Sequence, residues 1–432
     1  MVQRLRPGVW RISEHSRVST AELFFDVVFV FAFIQVTTLM TAGKGGLGVV
    51  HGLLVLTLLW WLWSLFAWLS NRVRANFGLA RLTLLATTPV LFVLAAITLD
   101  AFRDVPGGVA APVGFVGCYA TVRLLYLGLR WYATPSLRGH EIVSLTVPAL
   151  AAIGLLLSAA LLPLGGLGST TTLAGQIALW VLAISIDYGT GMALPVRRQI
   201  FSARHWAERH NLIIILALGE VLVSIGVTGS YLHATASFLI ASALAAVIAC
   251  SLEWIYFDLS ALVGEHALRT ADPLHRVRLA RDAYTYLHLP MIAGIILLSL
   301  GLKHTPGLIE TANSYNRGDP LDRTGRYAMY GGVALFLLAH AAFHGRLGHG
   351  ILIVIWPRLG AAALLLALLP VTAWLPALQA LAGLAGVCLV TAVTEFLISR
   401  RHRWRLRQTL FEEAEGELTA RGNSDSGGGA IP

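Results

Sequence analysis

Arg17–Gln35 reads RVSTAELFFDVVFVFAFIQ, and the carboxylate of Asp26 lies inside its apolar run. With the residues that follow, the run is long enough to cross a bilayer as a helix. A carboxylate inside a span is costly, and such groups as a rule face a bundle interior or a water-filled cavity and serve transport or catalysis. Ser19 and Glu22 stand ahead of it as S-x-x-E, so the spacing predicts a capping box that gives Glu22 to the first helical turn. Asp26 follows Glu22 at i+4 on the same helix face.

Composition extends that reading to the whole chain. It is 56% hydrophobic and 13% charged, with a mean hydropathy of +0.71, which excludes a soluble globular domain. The net charge of +9 is therefore a property of membrane loops, where basic residues orient helices and meet anionic lipid, and no nucleic-acid partner is expected. Cys118, Cys250 and Cys388 lie in apolar segments without paired spacing, which predicts reduced core residues and neither a disulfide nor a metal set. The first apolar run exceeds a signal-peptide core and lacks a small-residue cleavage site, so it reads as a retained helix.

Runs of about 20 apolar residues predict an all-α bundle of about twelve transmembrane helices: 22–42, 47–69, 79–100, 110–130, 141–163, 172–194, 211–230, 233–257, 283–302, 327–345, 350–370 and 374–399. With the N-terminus inside, 24 basic residues fall on the cytoplasmic side, and only Lys44, Arg103, Lys303, Arg317, Arg323 and Arg326 on the other. That asymmetry predicts a multi-pass protein of the bacterial plasma membrane with both termini cytoplasmic. After Arg407 the chain turns acidic and then Ser/Gly-rich, which predicts a largely disordered cytoplasmic tail over 401–432.

The two halves share an order of features. V-P-A-L-A-A around Pro148 parallels W-P-R-L-G-A-A around Pro357, and the two segments end at Pro163 and Pro370. Helices six and twelve close at L-P-V-R-R and I-S-R-R, and helices one and seven each carry a polar group in mid-run, Gln35 and Glu220. This predicts two parallel six-helix repeats, 21–199 and 200–400, behind an N-terminal segment 1–20, with a site between them.

The segment RISEHSRVSTAELFFDVVFVFA (Arg11–Ala32) resembles the opening of the bacterial low temperature requirement protein A (LtrA) family. ERHNLIIILALGE (Glu208–Glu220) is similar to that family's second signature, and the tryptophan-rich second helix also fits. The resemblance covers nearly the whole chain. It implies a membrane location and a role in growth at low temperature, and brings no substrate with it.

Glu220 is the leading candidate for chemistry, since a carboxylate near mid-membrane needs a partner or a proton, and a group poised between those states suits proton coupling. Asp26 is the second. Arg123, at a similar depth on helix four, is its natural bidentate partner, either as a fixed register contact or as a gate. Asp187 and Glu253 add carboxylates and Arg358 a cation, while Glu395 and Asp258 read as interfacial. His340 and His344 share a face at i, i+4; without a glutamate in H-E-x-x-H they read as structural, with no metal, and His340 as the second half's partner for a carboxylate. Trp60, Trp61 and Trp63 lie too deep for an interfacial belt and either pack or line an organic-substrate cavity, together with Gln35 and Tyr188.

These residues point first to a proton-coupled secondary transporter of a small molecule. The loop from Ser70 to Arg81 lacks the G-x-x-x-D-R-x-G-R pattern of the major facilitator transporters, so a different bundle is expected. A cation or proton channel is the alternative. One lysosomal potassium-channel family has two six-helix repeats and opens with R-x-x-x-F-S-D, but Arg17 stands too far from F-F-D for that spacing, and no T-V-G-Y-G filter is present. A lipid-modifying intramembrane enzyme ranks third, for want of a Ser-His elbow, a zinc signature or a diphosphate motif. No cofactor is expected.

Overall fold

The computed structural model describes residues 4–399 apart from 44, 104–109, 167, 194–198, 230–234, 306–319 and 349–351. The expected disordered tail, 401–432, lies outside the described residues, as do Lys44, Arg198, Arg317 and His349. The first half comprises α1 Thr20–Ala42, α2 Gly46–Ser70, α3 Gly78–Ala96, α4 Ala111–Tyr132, α5 Gly139–Leu161 and α6 Ser169–Ala193. The second comprises α7 Ala203–Gly229, α8 Ala236–Phe257, α9 Ser260–Thr270, α10 Pro273–Leu279, α11 His288–Lys303, α12 Arg323–Leu347, α13 Leu352–Leu368 and α14 Ala377–Ser399.

Among the described residues, 11 helical segments are long and apolar enough to cross a membrane, and α13 adds a shorter apolar stretch, Val354–Leu368. The architecture is thus an all-α polytopic bundle. The helix of α13 stops at Leu368, short of the expected 370, and the chain passes through Pro370 into a single 3-10 turn. Proline cannot donate to the ladder and disfavours helix before it.

Two departures from expectation bear on the site. Helix α7 begins at Ala203, eight residues before the expected 211, because His205, Trp206 and Arg209 break the apolar run without breaking the helix. Arg209 is therefore a buried residue of the bundle and not a loop cation. The stretch expected as a loop, 258–282, forms α9 and α10 and leads through a π-helical segment, Ala280–Tyr286, into α11.

Helix α1 packs against α2, α3, α7 and α11, and α11 in turn against α7 and α12. Helices α11 and α12 approach closely where glycine meets glycine. A Cβ at Gly294 would come within 2.5 Å of the Gly332 carbonyl, and one at Gly332 within 2.7 Å of the Gly294 carbonyl. Small residues permit such approach between helices in lipid. Large apolar side chains such as Leu82, Phe92, Val147, Val390 and Leu397 are exposed on the outer helices, as a hydrocarbon environment requires. Cys388 is buried, whereas Cys250 faces outward, so the expectation of three core cysteines fails at Cys250.

The N-terminal segment is tied to the α2–α3 loop. A two-stranded hairpin, β1 Arg4–Arg6 and β2 Val9–Trp10, turns at Gly8, and Ile12 and Arg74 exchange backbone hydrogen bonds with Arg72 and Trp10.

Candidate functional site

Helices α1 and α7 meet along a polar seam. At one end, Ser19 caps α1 and its amide donates to Glu22 Oε2 at 2.9 Å, as the S-x-x-E spacing predicts. The other oxygen of Glu22 serves α7: His205 Nε2 lies 2.8 Å from it and Arg209 Nη1 donates to it at 3.1 Å. Asn71 fixes the histidine, its side-chain nitrogen lying 3.2 Å from His205 Nδ1, which leaves the ring proton on Nε2 facing Glu22. Arg209 Nη2 donates to Asp26 Oδ1 at 2.5 Å, Trp63 Nε1 donates to the same oxygen at 2.9 Å, and the guanidinium lies 5.4 Å from the Trp63 ring centroid. Asp26 Oδ2 is buried with no partner among the described residues.

The expected Asp26–Arg123 pair does not form. Arg123 Nη2 donates instead to Asp187 Oδ1 at 2.7 Å, and Tyr119 donates to Asp187 Oδ2 at 2.6 Å, joining α4 to α6. Similar depth on two helices is no guarantee of adjacency; α7, not α4, is the charged neighbour of α1.

At the far end of the seam, Glu220 Oε1 accepts from Thr37 of α1 at 3.0 Å, Ser224 at 2.7 Å and Ser299 of α11 at 2.9 Å. Lys303 Nζ lies 3.7 Å from the same oxygen and also bonds to Thr37. Glu220 Oε2 is buried and has no partner among the described residues. With α7 starting at Ala203, Glu220 lies about one turn past the helix centre, toward the end opposite Arg209.

Arg358 forms a bidentate pair with Glu395, at 2.7 and 2.8 Å, and also donates to the Ile255 carbonyl at 3.2 Å. Glu395 is thus buried and paired, contrary to its interfacial reading. Glu253 is exposed on α8 and joins none of these contacts. Gln35 is half-buried and also stands outside them; Thr37, two residues on, is the α1 group that reaches Glu220.

The histidines form a buried file. His210 lies 5.1 Å, ring to ring, from His288, whose Nε2 is 2.8 Å from the Tyr256 hydroxyl. Tyr256 stacks on His340 at 5.4 Å, His340 lies 5.3 Å from His344, and His344 Nε2 is 2.6 Å from Ser260 Oγ. His340 meets no carboxylate; neither of its ring nitrogens has a partner among the described residues. The π-helical segment builds one link, because its wider turn leaves the Ala283 carbonyl to His288 Nδ1 at 3.1 Å and the Thr285 carbonyl to Trp60 Nε1 at 2.7 Å. Trp63 connects the file to Asp26, its ring 4.9 Å from His210. Trp60 and Trp63 are thus packed and hydrogen-bonded, while Trp61 lines a cavity with Asp187 and stacks near Tyr188. Tyr188 donates to the Thr57 carbonyl at 2.9 Å. Among the described residues no three His, Cys, Asp or Glu side chains converge as a metal set.

The residues that sequence reading missed are Arg209, His205, Lys303 and Thr37. The available signal was spacing: positions 26 and 37 on α1, and 209 and 220 on α7, are each eleven apart, three helical turns on one face.

A multi-pass helical membrane protein whose buried acids are paired between helices is what the fold and these contacts define. The chain belongs to the bacterial low temperature requirement A protein (LtrA) family, whose family model matches residues 17–393. It is 29% identical over 304 residues to the uncharacterized protein RA0937 of Rhizobium meliloti (strain 1021), an alignment covering 67% of this chain and 69% of that one. No solved structure matches it significantly.

Proposed function

We propose that this protein is a proton-coupled secondary transporter of the bacterial plasma membrane, with both termini cytoplasmic and its halves, 21–199 and 200–400, packed side by side. The observation that carries the reading is Glu220: a fully buried carboxylate with one oxygen held by three hydroxyls and faced by Lys303, and the other without a partner among the described residues. Such a group can take up a proton at Oε2 while its hydroxyl donors keep it in place, and protonation would release Lys303 from its ion pair. It sits where α1, α7 and α11 meet, so that release would loosen a contact between the halves. The Asp26–Arg209 pair closes the same seam at its other end, and the file from His210 to His344 supplies further groups able to carry a proton. The excess of Lys and Arg on one side supports the orientation.

The test is proton flux into proteoliposomes containing a trapped pH dye under an imposed potential. Flux in the wild type that disappears in Glu220→Gln, with the variant folded, is the expected result, and candidate small molecules are then screened for coupling. Flux unchanged by the substitution would remove Glu220 from the mechanism.

A further inference from the structure

On the face that carries the N-terminal hairpin, two adjoining cavities share Arg72, Arg130 and Gln199. The outer one has a volume of about 330 Å³ and includes Arg11 and Glu141; the inner one, of about 60 Å³, reaches Arg123 and Asp187. Four guanidiniums therefore line the pair of cavities against two carboxylates, an excess of two positive charges.

Three of them, Arg72, Arg123 and Arg130, carry buried nitrogens without a partner among the described residues. Arg123 is 4% exposed and Arg130 7% exposed. Asp187 takes one nitrogen of Arg123; its Nε and Nη1 have no partner among the described residues, and neither has Nε of Arg130 or of Arg72. Thr134 Oγ1, in the wall of the outer cavity, is likewise buried without one. Glu141 accepts from the Arg138 amide at 2.8 Å and so is in part committed to capping α5. Burial, with Arg130 and Arg11 as like charges beside it, brings Arg72 down to about 10. Unpaired buried donors and mutually repelling cations are costly in a folded protein, and an anion would offset both terms. A phosphomonoester fits best: it carries close to two negative charges at neutral pH, which matches the excess, and its tetrahedral oxygens suit several forked donors.

We infer that Arg72, Arg123 and Arg130 form a binding site for a phosphomonoester group. Two sources offer that chemistry, the headgroup of a lipid such as phosphatidic acid and a soluble phosphate ester. The site does not depend on proton transport, since it is read from binding alone.

The experiment uses the full chain in nanodiscs. Native mass spectrometry measures retention of phosphatidic acid over phosphatidylcholine, and calorimetry in phosphatidylcholine alone measures binding of glycerol 3-phosphate. Arg72→Gln with Arg130→Gln is expected to weaken binding about ten-fold or more, as loss of charge-assisted hydrogen bonds implies. Arg74→Gln, on the same face but outside both cavities, is expected to leave it unchanged. Should the double variant fail to fold, Arg130→Lys retains the charge without the fork and is expected to weaken binding less. Retention of the lipid alone identifies the bilayer as the source, and binding of the soluble ester alone identifies the aqueous phase. No preference for either phosphate in the wild type overturns the inference, and so does an equal loss in Arg74→Gln, which would reduce it to general surface charge.

Discussion

Arg209 donates to Asp26 across the α1–α7 seam at 2.5 Å, and it holds Glu22 with its other terminal nitrogen at 3.1 Å. The next polar contact along the seam, Thr37 with Glu220, comes after the same number of residues on both helices. Matching advance fixes direction: α1 and α7 run parallel, and the two contacts stand about 16 Å apart along the axis. One guanidinium thus balances two carboxylates at one end, and one ammonium faces a single carboxylate at the other.

That arrangement orders the variants at the first end. Arg209→Gln removes the cation that Glu22 and Asp26 share, leaving them His205 and Trp63, and should cost about 3–5 kcal/mol, the usual penalty for breaking a buried pair. Asp26→Asn should cost less, because Glu22 still meets the arginine and Trp63 can still donate to the amide oxygen. Melting of the detergent-purified variants checks the order; a reversed order would mean that Arg209 is not the shared cation.

The pairing makes a second prediction. Asp26→Asn and Arg123→Gln should be additive within about 0.5 kcal/mol, since they belong to separate contacts. Asp187→Asn with Arg123→Gln should show coupling of about 1 kcal/mol or more. A double-mutant cycle with strong Asp26–Arg123 coupling would contradict the structure.

How much of this was legible in the sequence depends on what each feature required. Apolar length located the spans to within a few residues, because a lipid environment forces helix wherever about 20 apolar residues occur together. It failed at Ala203–His210, where the helix continues because His205 and Arg209 meet Glu22 and Asp26 inside the bundle. Asp26 and Glu220 were visible as misplaced charges, and both are buried and bonded. Their partners were not visible, since helix adjacency is a tertiary fact. Arg209 and Lys303 looked like loop cations, and Glu395 like an interfacial acid, for the same reason: each lies near a helix end in sequence but points into the protein.

Neighbouring glycines on α12 give a sharp contrast. A Cβ at Gly332 would meet the Gly294 carbonyl at 2.7 Å and Leu297 Cβ at 2.9 Å, whereas one at Gly331 meets nothing within 4 Å. Gly332→Ala must push α11 away and should destabilise by about 1–3 kcal/mol. Gly331→Ala should be neutral or stabilising by up to about 1 kcal/mol, from helix propensity alone. Equal melting temperatures for the two variants would mean that the α11–α12 contact is looser than described.

Arg358 and Glu395 offer a test of geometry with charge held constant. Arg358→Lys keeps the cation but loses the fork that reaches both carboxylate oxygens and the Ile255 carbonyl. Loss of a buried charge-assisted bond should cost about 1.5–3 kcal/mol. A lysine variant as stable as the wild type would show that charge alone suffices there.

The Glu220–Lys303 end should behave asymmetrically. The Lys303 side chain is 17% exposed while that of Glu220 is fully buried. Glu220→Gln leaves an ammonium that can turn toward solvent, and the new amide can still accept from Thr37, Ser224 and Ser299, so the cost should be small, about 1 kcal/mol. Lys303→Met leaves a buried carboxylate with hydroxyl partners only, and should cost more, about 2–4 kcal/mol. Combining the two removes both charges and should recover most of the loss caused by Lys303→Met. Melting of the three variants at one pH decides it. Recovery in the double variant shows that the penalty lies in the unpaired acid, the group on which proton coupling would act; no recovery assigns the penalty to the lost hydrogen bond from Lys303 to Thr37.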